Sequence, residues 1–263
     1  MSTKLKERSL VLTTEEVNAV LAGHKTQHRV IVENPSNGFE FDFNLSGLTT
    51  PAIGYMNNKF GLLTKREIHP NSNKFERGIT PCPLGKVGDR LWVQEDFIPD
   101  PPAGHDAWED EDSVTNYFQW DGCGSKLSEI PNRLRTSEHV IYKAGQDDPD
   151  SMMWFNALQM RKWASRLLLE ITDIRIERVH DIGEDDALSM GLSRLTKDGG
   201  RTYKYGLPDK DGLPGNDDYG WHWSEWDADH KGALARYWDS MQGKGAWNRN
   251  DWVWVIEFKK VDD

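Results

Sequence analysis

Cysteine is scarce: the 263-residue chain holds two, Cys82 and Cys123, and neither belongs to a Cys-x-x-Cys pair. They cannot build a metal cage or a disulfide framework by themselves, and they read as incidental thiols of a reducing cytoplasm. Long apolar runs are missing as well. No window approaches the roughly 18 apolar residues of a membrane span, and Met1-Ser2-Thr3-Lys4-Leu5-Lys6 lacks the apolar core of a signal peptide. These absences point to a cytoplasmic protein with no membrane partner. Positive charge is in deficit too, with 32 Lys and Arg against 43 Asp and Glu, a formal charge of −11. Such a surface excludes non-specific coating of nucleic acid, which rests on neutralising phosphates, but leaves room for a local basic pocket. There is no Gly-x-Ser-x-Gly elbow, Walker loop, His-Glu-x-x-His or dinucleotide fingerprint, which removes the common hydrolase, NTPase and metalloprotease readings. No cofactor is expected. His222 and His230 carry none of the spacing of a known metal motif, so no metal is expected either.

Tryptophan is abundant. The hydrophobic share is only 37%, yet there are 12 tryptophans, each able to bury roughly 200 Å2. The core is therefore expected to be aromatic-rich and surrounded by polar loops.

Ser9-Leu10-Val11-Leu12 reads as a first strand. Thr13-Thr14-Glu15-Glu16 is a capping box, Val17, Val20 and Leu21 form a buried helical stripe, and Gly23 is a C-terminal stop. The cations Lys25 and Arg29 then fall at the negative end of the helix dipole, a placement favourable even without a ligand. Val30-Ile31-Val32 is a second strand. Residues 33–80 read as a hairpin or excursion, and Gly88-Asp89 turns into a strand with Leu91, Val93 and Glu95 alternating against Trp92 and Gln94. Residues 99–137, with an acidic run from Asp106 to Asp112, read as a solvated insertion. Val140–Lys143 resumes a strand, and the alternation after Leu167 makes a half-buried strand to Val179. A short helix follows over Ile182–Gly191, then a loop over 196–227, a helix over about 228–241 and a closing strand over Trp252–Phe258, where Trp252 and Trp254 share a core face. The order predicts an α+β fold, a small partly closed β-barrel with two or three short helices, as a single domain over 1–263 with insertions at about 33–80, 99–137 and 196–227.

Ala22-Gly23-His24-Lys25-Thr26-Gln27-His28-Arg29 resembles the G-x-K-x-x-x-R signature of the ASCH family, which is related in fold to the PUA RNA-binding domain. The Gly88–Glu95 strand, Trp163-Ala164-Ser165-Arg166, the Glu184–Gly191 helix and the closing strand resemble phage and prophage members in the same order. The resemblance implies a PUA-like barrel with a pocket beside the first helix, lined by Lys25 and Arg29. It also implies a nucleic-acid partner, RNA above all, or a modified nucleotide. One branch of the family deacylates N4-acetylcytidine with the signature lysine, a threonine three residues later and a glutamate in the later helix. Lys25 matches that lysine, His28 stands at the threonine position and Met190 at the glutamate position. Methionine cannot take a proton, whereas His28 could act as a base.

The expected ligand-binding residues are thus Gly23, Lys25, Arg29, Glu95, Trp163, Ser165 and Arg166. Arg29 suits a phosphate bidentately and Lys25 as a point charge, while Glu95 could read an exocyclic amine or neutralise one of the two. Trp163, Ser165 and Arg166 offer a stacking face, a hydroxyl and a guanidinium, although a tryptophan before an apolar strand is also a natural core residue. Three functions follow as expectations: binding of a nucleic acid, nucleotide or modified base; hydrolysis, as an amidohydrolase or ribonuclease with Lys25 and His28 as catalytic residues; or contact with a host protein through the acidic insertions.

Overall fold

The structure is a computed structural model that describes residues 5–43, 50–69, 74–99, 127–130, 132–148, 153–215 and 220–261. The acidic run at 106–112 and Cys123 lie outside the described residues. Cys82 is a buried free thiol. Among the described residues, no helix is long and apolar enough to cross a membrane.

The described fold is α+β, mostly strands. Its frame is a five-stranded sheet in the order β1-β7-β10-β13-β2. The frame strands are β1 (Glu7–Val11), β2 (Gln27–Ile31), β7 (Arg90–Gln94), β10 (Leu168–Arg178) and β13 (Trp252–Lys260). β1 runs parallel to β7, and the other pairings are antiparallel. β13 is buried on both sides. Trp254, Ile256 and Phe258 enter one core with Leu10, Val17, Leu91 and Ile171, while Val253 and Val255 enter a second core. That is why its sequence is a continuous apolar run rather than an alternation. The second core is completed by α2 (Glu184–Ser189) through Ala187 and by α3 (His230–Gln242) through Leu234 and Trp238.

The sheet does not close into a barrel. β1 and β2 are its two edges, and the helix that joins them, α1 (Thr14–Leu21), sends Val17 and Val20 into the same core as Leu10 and Val30.

The hairpin or excursion expected at 33–80 and the loop expected at 196–227 both hold strands. Residues 33–80 contain β3 (Glu40–Phe41), β4 (Ile53–Met56), β5 (Lys59–Glu67) and β6 (Phe75–Pro81), a sheet centred on β5. It rests on the frame through fully buried Leu62 and through Phe60, whose ring lies 6.5 Å from that of Trp254. Residues 196–227 contribute the second strand of a hairpin, β11 (Ser193–Leu195) with β12 (Lys204–Gly206). Gly206 is required there, because a Cβ would come within 2.5 Å of the Trp226 ring. A further hairpin, β8 (Phe97–Pro99) with β9 (Val140–Tyr142), anchors a small core of Phe97, Tyr142, Met160 and Ala164.

The α1 capping box forms as the sequence indicates: the Glu16 amide donates to the Thr13 hydroxyl at 3.3 Å and the Thr13 amide donates to the Glu16 carboxylate at 3.0 Å. Thr13→Ala is expected to lower unfolding free energy by about 1 kcal/mol, and Thr13→Ser to leave it near wild type. Urea unfolding of the two variants checks this.

Candidate functional site

The signature begins where α1 stops. Gly23 adopts φ +75°, and the amides of His24 and Lys25 both donate to the Ala19 carbonyl, at 2.8 and 3.0 Å. This tight turn sends the Lys25 side chain inward, with no exposed surface. Its Nζ donates to the Met190 carbonyl at 2.9 Å and lies 3.2 Å from Glu16 Oε1, an ion-pair contact short of an aligned hydrogen bond. Met190, whose side chain has no acid-base chemistry, thus meets the lysine through its backbone. The carboxylate partner is Glu16, the capping-box residue. One of its oxygens holds the helix start while the other faces Lys25 and, at 3.7 Å, His28 Nδ1. Burial alone would raise the Glu16 carboxyl, but Lys25, His28 and the Thr13 amide outweigh it and hold the group far below the usual carboxylate range. Burial draws Lys25 below its ordinary value against the upward pull of Glu16.

Arg29, on the face of β2 shared with Gln27 and Ile31, points towards the second core, and its side chain is also fully buried. Its Nε donates to Gln27 at 3.0 Å, and its Nη2 lies 2.9 Å from Glu177 and 3.3 Å from Asp186. Gln27 in turn donates to Asp186 at 2.7 Å. Arg175, two residues before Glu177 on the same face of β10, binds Glu177 at 2.6 Å, Asp186 at 2.7 Å and also Glu257. With Asp173 at 3.8 Å from Arg175, two guanidiniums therefore meet four carboxylates drawn from β10, α2 and β13. One group stays unmatched: Arg29 Nη1 is buried with no hydrogen-bond partner.

Gly23, Lys25, His28 and Arg29 stay close along one segment, but the charges of Lys25 and Arg29 are turned inward and neutralised in two separate groups. A cavity that touches the signature at His24, bounded also by Asn18, Ala19, Gly191 and Pro208, measures about 20 Å3, room for about one water. The remaining expected residues lie elsewhere. Glu95 pairs not with Lys25 or Arg29 but bidentately with Arg166, at 3.0 and 2.8 Å. The Arg166 guanidinium also stacks 4.1 Å from the Tyr142 ring centre. Ser165 donates to the Val93 carbonyl at 2.8 Å. Arg166 and Arg175 stand nine positions apart along one extended segment, roughly 30 Å at about 3.3 Å per residue, so the two charged groups cannot share a small ligand.

An open cleft lies beside the second group. It measures about 790 Å3 and is lined by Leu127, Arg135, Phe155, Gln159, Arg161 and Trp163 among others. Trp163 is half-buried: part of its ring packs against Ala164 and Leu134, and it also forms cleft wall. Arg135 is spent on the Ile130 and Ser128 carbonyls, at 2.9 and 3.1 Å. Arg161 is exposed and has no side-chain partner among the described residues. Sequence reasoning missed Glu16 as an ion-pair residue and passed over Phe155 and Arg161. The i, i+2 spacing of Arg175 and Glu177 on an alternating strand was a signal available for the buried network.

No family model, curated protein or solved structure matches this chain.

The Lys25–Glu16 pair is expected to behave as a buried ion pair. Lys25→Met or Glu16→Gln alone should cost about 3–5 kcal/mol, and the double variant less than the sum, because each single change strands a buried charge. Glutamine keeps the capping acceptor, so the comparison isolates charge. Glu16 is depressed in the folded state, so its contribution is fully present above its ordinary value of 4.5 and lost as pH falls below it. Denaturation from pH 7 down to pH 3 should therefore show the gap between wild type and Glu16→Gln narrowing at the acid end.

Proposed function

We propose that this chain binds a nucleotide, or an unpaired base of RNA, in the cleft walled by Phe155 and Trp163. The observation that carries the proposal is the unpaired Arg161 guanidinium at the rim of a cleft with two aromatic walls. A cleft of 790 Å3 suits a ligand of nucleotide size. The aromatic faces suit a base, Gln159 and Ser128 offer polar groups for its edge, and Arg161 suits a phosphate.

The ASCH resemblance supports the ligand class, and the succession β1, α1, β2 with β13 beside β2 supports a PUA-like relationship for the fold. The geometry moves ligand contact away from Lys25 and Arg29, which serve to hold α1, β2 and α2 together. Hydrolysis by Lys25 gains a carboxylate in Glu16, but the amine has no exposed surface for a substrate to reach.

Calorimetric titration with mononucleotides and short single-stranded RNA tests the proposal. Arg161→Glu, and Leu158→Glu at a cleft residue 74% exposed, should each weaken binding by about 10- to 100-fold, the range of one stacked base or one charged contact. Both residues are exposed, so folding should be intact. Unchanged affinity in both variants would overturn the assignment of the cleft.

A further inference from the structure

The β11–β12 hairpin runs against the charge of the chain. From Ser193 to Gly206 it carries Arg194, Lys197, Arg201 and Lys204 against a single carboxylate, Asp198, in a protein of net charge −11. Asp198 forms no ion pair with any of them, and its single charge leaves the hairpin net positive. Its two oxygens accept from the Thr196 and Thr202 hydroxyls, at 2.8 and 2.6 Å, and from the amides of Arg201 and Thr202, at 3.0 and 2.9 Å. These bonds hold the carboxyl down to about 2, the Thr202 hydroxyl contributing most, so the acid stays ionised and shapes the hairpin tip.

The cations divide into two sets. Arg194 is neutralised by Glu184 at 2.6 Å and stacks on Tyr203. Lys197, Arg201 and Lys204 have no carboxylate partner among the described residues. Lys197 and Lys204 stand over one ring, that of Trp223, at 4.0 and 5.1 Å from its centre. The Trp223 ring is 5.7 Å from that of Trp226, which is buried beneath Gly206 and donates to the Trp221 carbonyl at 3.0 Å. Cation–π contact holds two flexible ammonium groups to one anchored indole, Lys204 also donating to the Trp223 carbonyl at 3.5 Å, which lowers the ordering cost of binding an anion.

We infer that the β11–β12 hairpin is a contact surface for the phosphate backbone of a single-stranded nucleic acid, with Lys197, Arg201 and Lys204 as the phosphate-binding side chains. The charge pattern selects a polyanion, because three cations left unpaired in an otherwise acidic chain find complementarity in a run of phosphates. The Trp223 face is already covered by the lysines, so the contact reads backbone and not base. The inference shares the ligand class proposed above but uses different residues, so the two can fail separately.

The test compares binding of a mononucleotide and of a single-stranded RNA about 12 nucleotides long between wild type, Lys197→Glu/Arg201→Glu, and the charge-keeping Lys197→Arg/Arg201→Lys, over a series of salt concentrations. Each phosphate contact adds about 0.7 to the slope of log affinity against log salt for a single strand. Charge reversal at two of the three positions should therefore flatten that slope by at least about 1.4 and weaken the RNA complex by roughly 25-fold or more at 0.1 M salt. The charge-keeping variant should bind like wild type, and mononucleotide affinity should be unchanged throughout. An unaltered salt slope in the charge-reversal variant would overturn the inference, as would equal, variant-sensitive binding to vesicles of anionic phospholipid. Loss of mononucleotide binding in wild type with the RNA slope still sensitive to the hairpin would instead count against the Trp163 cleft alone.

Discussion

Two cations with no solvent contact, Lys25 and Arg29, set the terms for the rest of the structure. Removing such a charge from water costs several kcal/mol unless close partners compensate, and neither residue has a partner on its own element that suffices. Lys25 draws Glu16 back from the start of α1 and takes the Met190 carbonyl at the end of α2. Arg29 draws Glu177 from β10 and Asp186 from α2. The neutralisation of these two charges therefore ties α1, β2, β10 and α2 into one arrangement. Gly191 completes it: at φ +108° it turns the chain at the end of α2 in a conformation that side-chain-bearing residues rarely adopt, with Ala19 and Lys25 in ordinary contact range.

Much of this frame was legible in the sequence wherever the cause was local. The capping box, the glycine stop, the alternating strand after Leu167 and the closing tryptophan strand each follow from neighbours a few residues apart, and each is present with nearly the expected bounds. What was not legible depended on residues distant in the chain. Glu16 and Lys25 are close in sequence, but only burial beneath α2 makes the carboxylate an ion-pair partner as well as a cap. Glu95 was expected near the signature, yet Arg166, 71 positions away, takes both its oxygens. The individual strands within 33–80 were hidden by its Asn, Gly, Ser and Pro content and the strand within 196–227 by its Gly and Asp content, because their stability comes from β5 and from Trp226 rather than from local propensity.

The same accounting of charge guides the functional reading. A signature rich in cations suggests a grip on an anion, but a cation whose bonds are filled by carboxylates has little left to offer a ligand. Cations without a carboxylate partner among the described residues lie elsewhere, among them Arg161 at the aromatic cleft and Lys197, Arg201 and Lys204 on the hairpin. Arg161 lines the aromatic cleft, and Lys197 and Lys204 stand over the Trp223 ring. An acidic protein can present such surfaces without the indiscriminate affinity of a basic one, because the surrounding negative charge repels nucleic acid wherever specific contacts are missing.

Photo-crosslinking of single-stranded RNA carrying 4-thiouridine, with mass-spectrometric mapping of the attached peptide, tests the central claim most directly. A base stacked in the cleft should attach to the segment containing Phe155, Leu158 or Trp163. Attachment confined to the segment from Gly23 to Arg29 would contradict the account, since it would require the signature to open and present a base-binding pocket where the structure has a sealed ion pair.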